Sequence, residues 1–177
     1  MRPAGAPLLQ TTRLAIRPFT DADATFIVEL LNDPDWLRFI GDREVRTPDD
    51  ARAYLRDKIH AAQARHGFAL WAVDRRSDGA TLGMCGLVRR EGLADVDLGY
   101  AFLPAARGQG FAREAAAAVL AHAFEALRLR RVVAITSIDN APSGRVLEAV
   151  GMRFEQRLRV AGYDDDSLLY AAQRTTP

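Results

Sequence analysis

The stretch Arg107-Gly108-Gln109-Gly110-Phe111-Ala112 sits between an apolar run that ends at Pro104 and the start of a long helical pattern. A helix N-terminus leaves backbone N–H groups unpartnered and carries partial positive charge, and phosphate oxygens satisfy both. Gly108 and Gly110 remove Cβ atoms, so the backbone can approach an anion closely, and Ala112 keeps the first turn slim. The chemistry implied is capture of a phosphate or pyrophosphate, against the plainer alternative of a structural strand-to-helix turn. A Walker loop needs lysine and then Ser/Thr after its last glycine, where this sequence has Phe111-Ala112. A dinucleotide fingerprint needs a third glycine where Arg113 stands, and normally follows the first strand of a βαβ unit. Neither pattern fits.

Other residues invite chemistry with weaker local signals. Asn140 and Ser143 open a helix, where both residue types commonly cap; Ser143 lies inside the first turn, so its hydroxyl is able to point outward. Tyr163-Asp164-Asp165-Asp166 reads either as a charged hairpin tip or as an acidic rim that attracts a cationic amine or basic peptide. Cys85 stands mid-strand between Met84 and Gly86, while His60, His66 and His122 fall on helices or helix ends. A nucleophilic thiol needs a base or an electropositive setting, so Cys85 reads as a small buried residue. No His, Cys or Asp grouping has metal-ligand spacing, and no metal is expected.

The elements that position these residues follow from periodicity and punctuation. Leu14 to Arg17 is a strand stopped by Pro18, and Thr20 with Asp23 forms a capping box for a helix that buries Phe26, Ile27, Leu30 and Leu31. Trp36, Leu37, Phe39 and Ile40 make a short apolar cluster closed by Gly41. Thr47-Pro48-Asp49-Asp50 starts a second helix that runs toward Arg65. Residues 68–74, 81–88 and 95–103 form a three-strand meander. A helix from about Gly110 to Leu127, a buried strand at 131–136, a helix from Asn140 to Gly151 and a hairpin of 154–160 with 167–170 complete the order. Such an order implies a mixed α/β sheet with helices on both faces.

The chain has 177 residues, 49% hydrophobic and 27% charged, which suits one domain over 1–177 with residues 1–10 as a flexible leading segment. A net charge of +1 gives no reason to expect a nucleic-acid or membrane-surface binder. Lys58 is the only lysine, and Cys85 the only cysteine, so no internal disulfide forms and the expected compartment is cytoplasmic. The opening residues include Pro3 and Pro7 and do not read as a signal peptide, and no stretch approaches the ~20 apolar residues that span a bilayer.

Arg107-x-x-Gly110-x-Ala112 resembles the cofactor signature of the GNAT acetyltransferases, Gln/Arg-x-x-Gly-x-Gly/Ala. Three further segments resemble the branch that includes the ribosomal-protein N-terminal (alanine/serine) acetyltransferases. They are Arg13-Leu14-Ala15-Ile16-Arg17-Pro18, Asp97-Leu98-Gly99-Tyr100, and Asn140-x-x-Ser143-x-Arg145-Val146-Leu147-Glu148-x-x-Gly151-Met152. The resemblance covers nearly the whole chain. It implies a single GNAT-like domain whose mixed, mostly antiparallel sheet has about six or seven strands.

It also implies acetyl-CoA as the acyl donor. The strand before the loop splays from its neighbour, and its free backbone groups, mapped to Phe102, Leu103 and the Pro104 carbonyl, pair with the pantetheine arm. The pyrophosphate would rest on Arg107, Gly108, Gln109, Gly110, Phe111 and Ala112, with Asn140 and Ser143 facing the pantetheine and sulfur. Ser143 would act as general acid toward the leaving thiolate. Asp97 is the candidate base: the attacking nitrogen must be a neutral amine, and a carboxylate on a cleft-lining strand accepts its proton directly or through water. The family position usually carries Glu, and the shorter Asp favours the water-mediated route. The expected reaction is direct transfer to a primary amine, either a protein N-terminus or a small-molecule amine, by a monomer or homodimer. The alternative is a non-catalytic acyl-CoA-binding sensor.

Overall fold

Proline and capping residues cut the chain where the sequence places them. Pro18 follows strand β2 (Leu14–Arg17), and Thr20 and Asp23 close a capping box before helix α1 (Ala24–Leu31). Asp33 caps α2 (Pro34–Phe39) by accepting the Trp36 amide, and Thr47 caps α3 (Pro48–Tyr54) in a second capping box. The computed structural model describes residues 6–175. Residues 1–5 of the expected leading segment lie outside that range, whereas Leu9–Gln10 forms a short strand, β1, paired with β2. The helix from Thr47 is interrupted by a π-helical stretch, Leu55–His60, before α4 (Ala61–His66).

The meander is β3 (Leu70–Arg75), β4 (Thr81–Val88) and β5 (Val96–Phe102). Helix α5 (Phe111–Glu125), β6 (Arg131–Ser137), α6 (Ala141–Ala149), β7 (Arg153–Leu158) and β8 (Ser167–Gln173) follow. One eight-stranded sheet results, in the order β1-β2-β3-β4-β5-β6-β8-β7. Neighbours are antiparallel except β5 and β6.

Strand alternation sorts the core into layers on the two faces. Trp71, Val73, Cys85, Leu87, Leu98 and Phe102 pack with α5 and α6 residues such as Phe111, Val119 and Leu147. Ala72 and Met84 point the other way, into a cluster with Phe26, Ile27, Leu30, Trp36 and Leu55 from the early helices. Cys85 is fully buried, and burial pushes its thiol far above the ordinary range, which suits a packing role. Buried Arg17 binds Asp23 at 2.9 Å and Asp74 at 2.6 Å, tying β2 to the turn before α1 and to β3. Among the described residues no helix is long and apolar enough to cross a membrane.

Candidate active site

The sheet opens between its two parallel strands. β5 and β6 each have seven residues, yet only Val96↔Val132 and Asp97↔Val133 pair, whereas β6 and β8 pair over seven positions. Beyond Asp97 the strands diverge. The Leu103 amide donates to Leu82 O on the β4 side, so by alternation Phe102 and Tyr100 present their backbone groups to the gap. The expected positions therefore shift toward the N-terminus. Leu103 faces β4, and the Pro104 carbonyl accepts the Arg107 amide at 3.1 Å. Phe102 does face the gap, with its carbonyl accepting Arg107 Nε at 3.0 Å.

The glycine-bearing loop follows a short 3-10 turn, Pro104–Ala106. Gly108 and Gly110 have φ of 72° and 80°, the left-handed region that L side chains rarely enter. At Gly108 a Cβ would meet nothing within 4 Å, so conformation rather than space demands glycine there. Glu114 makes the first intrahelical bond, to Gly110 O at 3.1 Å, which leaves the amides of Phe111, Ala112 and Arg113 without intrahelical acceptors. Arg13 braces the loop: its guanidinium donates to Gln109 O at 2.8 Å and to Glu114 at 2.6 Å and lies over the Phe111 ring. The Arg107 side chain is bound to Asp33 and Asp35, each at 2.6 Å, and so ties the loop to α2. The Gln109 side chain donates to Ala105 O at 2.8 Å.

Across the gap, Asn140 caps α6 by accepting the Ser143 amide at 3.4 Å. The Tyr100 hydroxyl lies 2.8 Å from Ser143 Oγ, where either oxygen can donate, and within donating distance, 3.0 Å, of Ser143 O. Burial pushes the Tyr100 hydroxyl far above its ordinary range, so it keeps its proton.

Asp97 occupies the last paired position before the gap and is 1% exposed. Arg90 donates to its Oδ2 through Nε at 3.0 Å and Nη2 at 2.8 Å, while Oδ1 has no hydrogen-bond partner. Burial pushes the Asp97 carboxyl up to about 6, against the pull of Arg90. The Ile135 backbone amide, approaching from β6, also lowers it. Arg90 Nη1 donates to Tyr163 Oη at 2.9 Å. In the loop beyond Tyr163, Asp166 pairs with Arg157 and Arg159, whereas the Asp164 and Asp165 carboxylates have no ion-pair partner among the described residues.

These groups border one cavity of about 1280 Å³, whose wall includes Trp36, Tyr54, Asp97, Gly110, Ser143 and Asp165. That volume exceeds the ~300–1,000 Å³ of a typical small-molecule site, leaving room for two reactants. Sequence reasoning assigned no role to Arg90 or Tyr100. Tyr100 stood in a recognised segment, but its contact with Ser143 spans 43 positions. Arg90 carried one signal, its place after a strand end opposite an aspartate across a hairpin.

A sheet split beside a glycine-bearing helix start offers an open strand edge next to an anion-binding end, a cleft suited to an extended phosphorylated ligand. The chain belongs to the GNAT acetyltransferases: residues 13–153 match the acetyltransferase (GNAT) domain family. It is an acyl-CoA-dependent N-acetyltransferase by class. It is 29% identical over 162 residues to the uncharacterized N-acetyltransferase YoaA of Bacillus subtilis, covering 90% of both chains. A GNAT-family acetyltransferase structure from Bacillus anthracis superposes with a TM-score of 0.78 at 27% identity, over 93% of this chain and 97% of that one. The Mycobacterium smegmatis RimJ structure, in complex with CoA-disulfide, gives a TM-score of 0.70 at 25% identity, over 90% and 81%.

Proposed function

We propose that this enzyme transfers an acetyl group from acetyl-CoA to a primary α-amine by direct attack in a ternary complex, with Asp97 receiving the proton. The observation that carries the reading is the Asp97 carboxylate at the apex of the split, one oxygen held by Arg90 and the other unpartnered. Acetyl-CoA supplies the acyl thioester. The open-edge backbone of Tyr100 and Phe102 fits an extended pantetheine arm, and the amides of Phe111, Ala112 and Arg113 fit a pyrophosphate. Arg107, Gly108, Gln109 and Gly110 shape that cradle, and the CoA-bound RimJ neighbour supports the same donor. Open-edge amides of β5 are placed to stabilise an oxyanion. Ser143, bonded to the protonated Tyr100 hydroxyl, is placed to supply a proton to the leaving sulfur.

Proton arithmetic favours an α-amine. Transfer to a carboxylate near 6 is uphill by about 2 pKa steps from an α-ammonium and about 4 from lysine, roughly 3 against 6 kcal/mol. Unpaired Asp164 and Asp165 add negative charge on the acceptor side and support a cationic acceptor, whether a protein N-terminus or a small amine. The test is release of CoA thiol with acetyl-CoA and a panel of peptides with varied N-termini, lysine side-chain amines and small α-amines. Turnover confined to lysine amines overturns the α-amine reading. Tight CoA binding with no turnover on any acceptor overturns catalysis in favour of a sensor.

A further inference from the structure

A carboxylate that takes a proton from one direction works best with one oxygen fixed and the other free. Two donors of Arg90, Nε and Nη2, converge on Asp97 Oδ2, and Oδ1 is left unpartnered in a residue only 1% exposed. A third donor, Arg90 Nη1, binds Tyr163 Oη at 2.9 Å, and the guanidinium carbon lies 5.4 Å from the Tyr163 ring centroid. Arg90 belongs to the turn after β4, and Tyr163 to the loop between β7 and β8. The two loops touch elsewhere as well: Ala161 lies beside Gly92, and Leu93 and Leu158 pack into the same small apolar cluster. Arg90 thus spans from the floor of the split to the loop that carries Asp164 and Asp165.

We propose that Arg90, held by Tyr163, is a positioning residue for acetyl transfer: its grip on Oδ2 sets the orientation of the buried Asp97 carboxylate and leaves Oδ1 as the oxygen without a donor, and it links that orientation to the acceptor-side loop. The inference rests on the reading of Asp97 as proton acceptor. The geometry has a chemical logic. An arginine fork that gripped both carboxylate oxygens would occupy a lone pair on each and lower the basicity of both, whereas two donors on Oδ2 leave both lone pairs of Oδ1 unspent. The third donor, on the far side of the planar guanidinium, is held by Tyr163, which fixes the plane in which the other two meet Oδ2.

Arg90 is the charged group that faces Asp97 from the β4–β5 turn. β6 contributes the Ile135 amide, and the β7–β8 loop contributes Tyr163 through Arg90. The Arg90 charge pulls the carboxyl down while burial pushes it up. Removing the charge therefore moves the midpoint above about 6, and the acid limb of the rate profile moves to higher pH with it.

The experiment has two arms on the intact chain. In the first, protein labelled with ¹³C at aspartate carboxyls is titrated by NMR as wild type, Arg90→Gln and Arg90→Lys. Asp97→Asn assigns the resonance. Arg90→Gln raises the Asp97 midpoint by a unit or more, and Arg90→Lys, which keeps the charge, raises it less. In the second, kcat/KM is followed against pH with an N-terminal alanine or serine peptide, or with the small amine from the panel that gives faster CoA release. Arg90→Gln loses about tenfold or more, its acid limb moves upward, and its affinity for CoA by calorimetry is unchanged. Arg90→Lys loses several-fold in kcat with its limb near wild type, and Tyr163→Phe lowers kcat without moving the limb.

An unmoved Asp97 midpoint in Arg90→Gln overturns the proposal, as does wild-type kcat/KM in that variant. Should Arg90→Gln fail to fold, Arg90→Lys decides: full activity overturns the two-donor grip, and reduced kcat with CoA binding retained supports it. Asp97→Asn separates the two readings. Full turnover in Asp97→Asn removes the base itself, whereas its loss combined with a silent Arg90 removes only the positioning role.

Discussion

At the scale of single residues, Asp97 sets competing demands. Burial holds its carboxyl up at about 6, so with Asp97 as the proposed base the proton-accepting form grows as pH rises and the rate is expected to climb through that value. Stability moves the opposite way. The folded protein holds this proton more tightly than an unfolded aspartate near 3.8, so the contribution is complete below the ordinary range and is lost as pH rises through about 6. Asp97→Asn is expected to cut kcat/KM by roughly 10²–10⁴-fold and to abolish the acid limb, with CoA affinity retained, as steady-state kinetics and calorimetry will show. The aspartate was legible as a candidate through the resemblance of Asp97-Leu98-Gly99-Tyr100 to a family strand. Its unusual state was not, because burial and the Arg90 contact exist only once the β4–β5 turn and the β7–β8 loop close over it. Likewise Asn140 showed its capping role locally, while the Ser143 partner, Tyr100, is brought in by the sheet.

At the scale of elements, the strongest local signals were punctuation. Pro18, Thr47-Pro48 and Pro104 mark their boundaries because ring closure and missing amides act within a few residues. Gly108 and Gly110 were legible as a pair, but for a partial reason, since both adopt positive φ and Gly108 has open space around it. Gly108→Ala would strain the backbone without a clash, whereas at Gly110 the new Cβ would also come 3.3 Å from Arg13 Nη2. Both changes are expected to raise KM for acetyl-CoA about fivefold or more with a smaller change in kcat, Gly110→Ala the more, measured at saturating acceptor. The buried Arg17–Asp23–Asp74 network makes a separate forecast. Asp23→Ala removes one counter-charge and a capping box together, and should cost about 3–5 kcal/mol in chemical denaturation. The π-helical stretch Leu55–His60 and the two-residue strand β1 carried no readable pattern, because each depends on what packs or pairs beside it.

At the scale of the whole molecule, seven of the eight strands were legible because each is bounded by turns, and the meander fixes its own neighbours. The place where the sheet parts was known only through resemblance, since nothing in the alternation of β5 or β6 states how far they pair. In the folded chain β1 to β5 form one block and β6 to β8 another, joined directly by two paired positions. Side chains cross the gap instead: Tyr100 to Ser143 near the floor, and Arg38 to Asp139 at 2.6 Å on the exposed rim. Both partners of the rim pair are solvent-exposed and screened, so it guides more than it locks.

So thin a seam makes the donor a structural component as well as a reactant. An arm laid along Tyr100 and Phe102 would fill the ladder positions that β6 abandons and weld the two blocks into one continuous sheet. Amide hydrogen exchange at Tyr100 and Phe102 is therefore expected to be fast in the free enzyme and to slow by at least tenfold with bound CoA, while amides along β3 and β4 barely change. Equal protection with and without CoA would mean that the seam is already closed before the donor arrives.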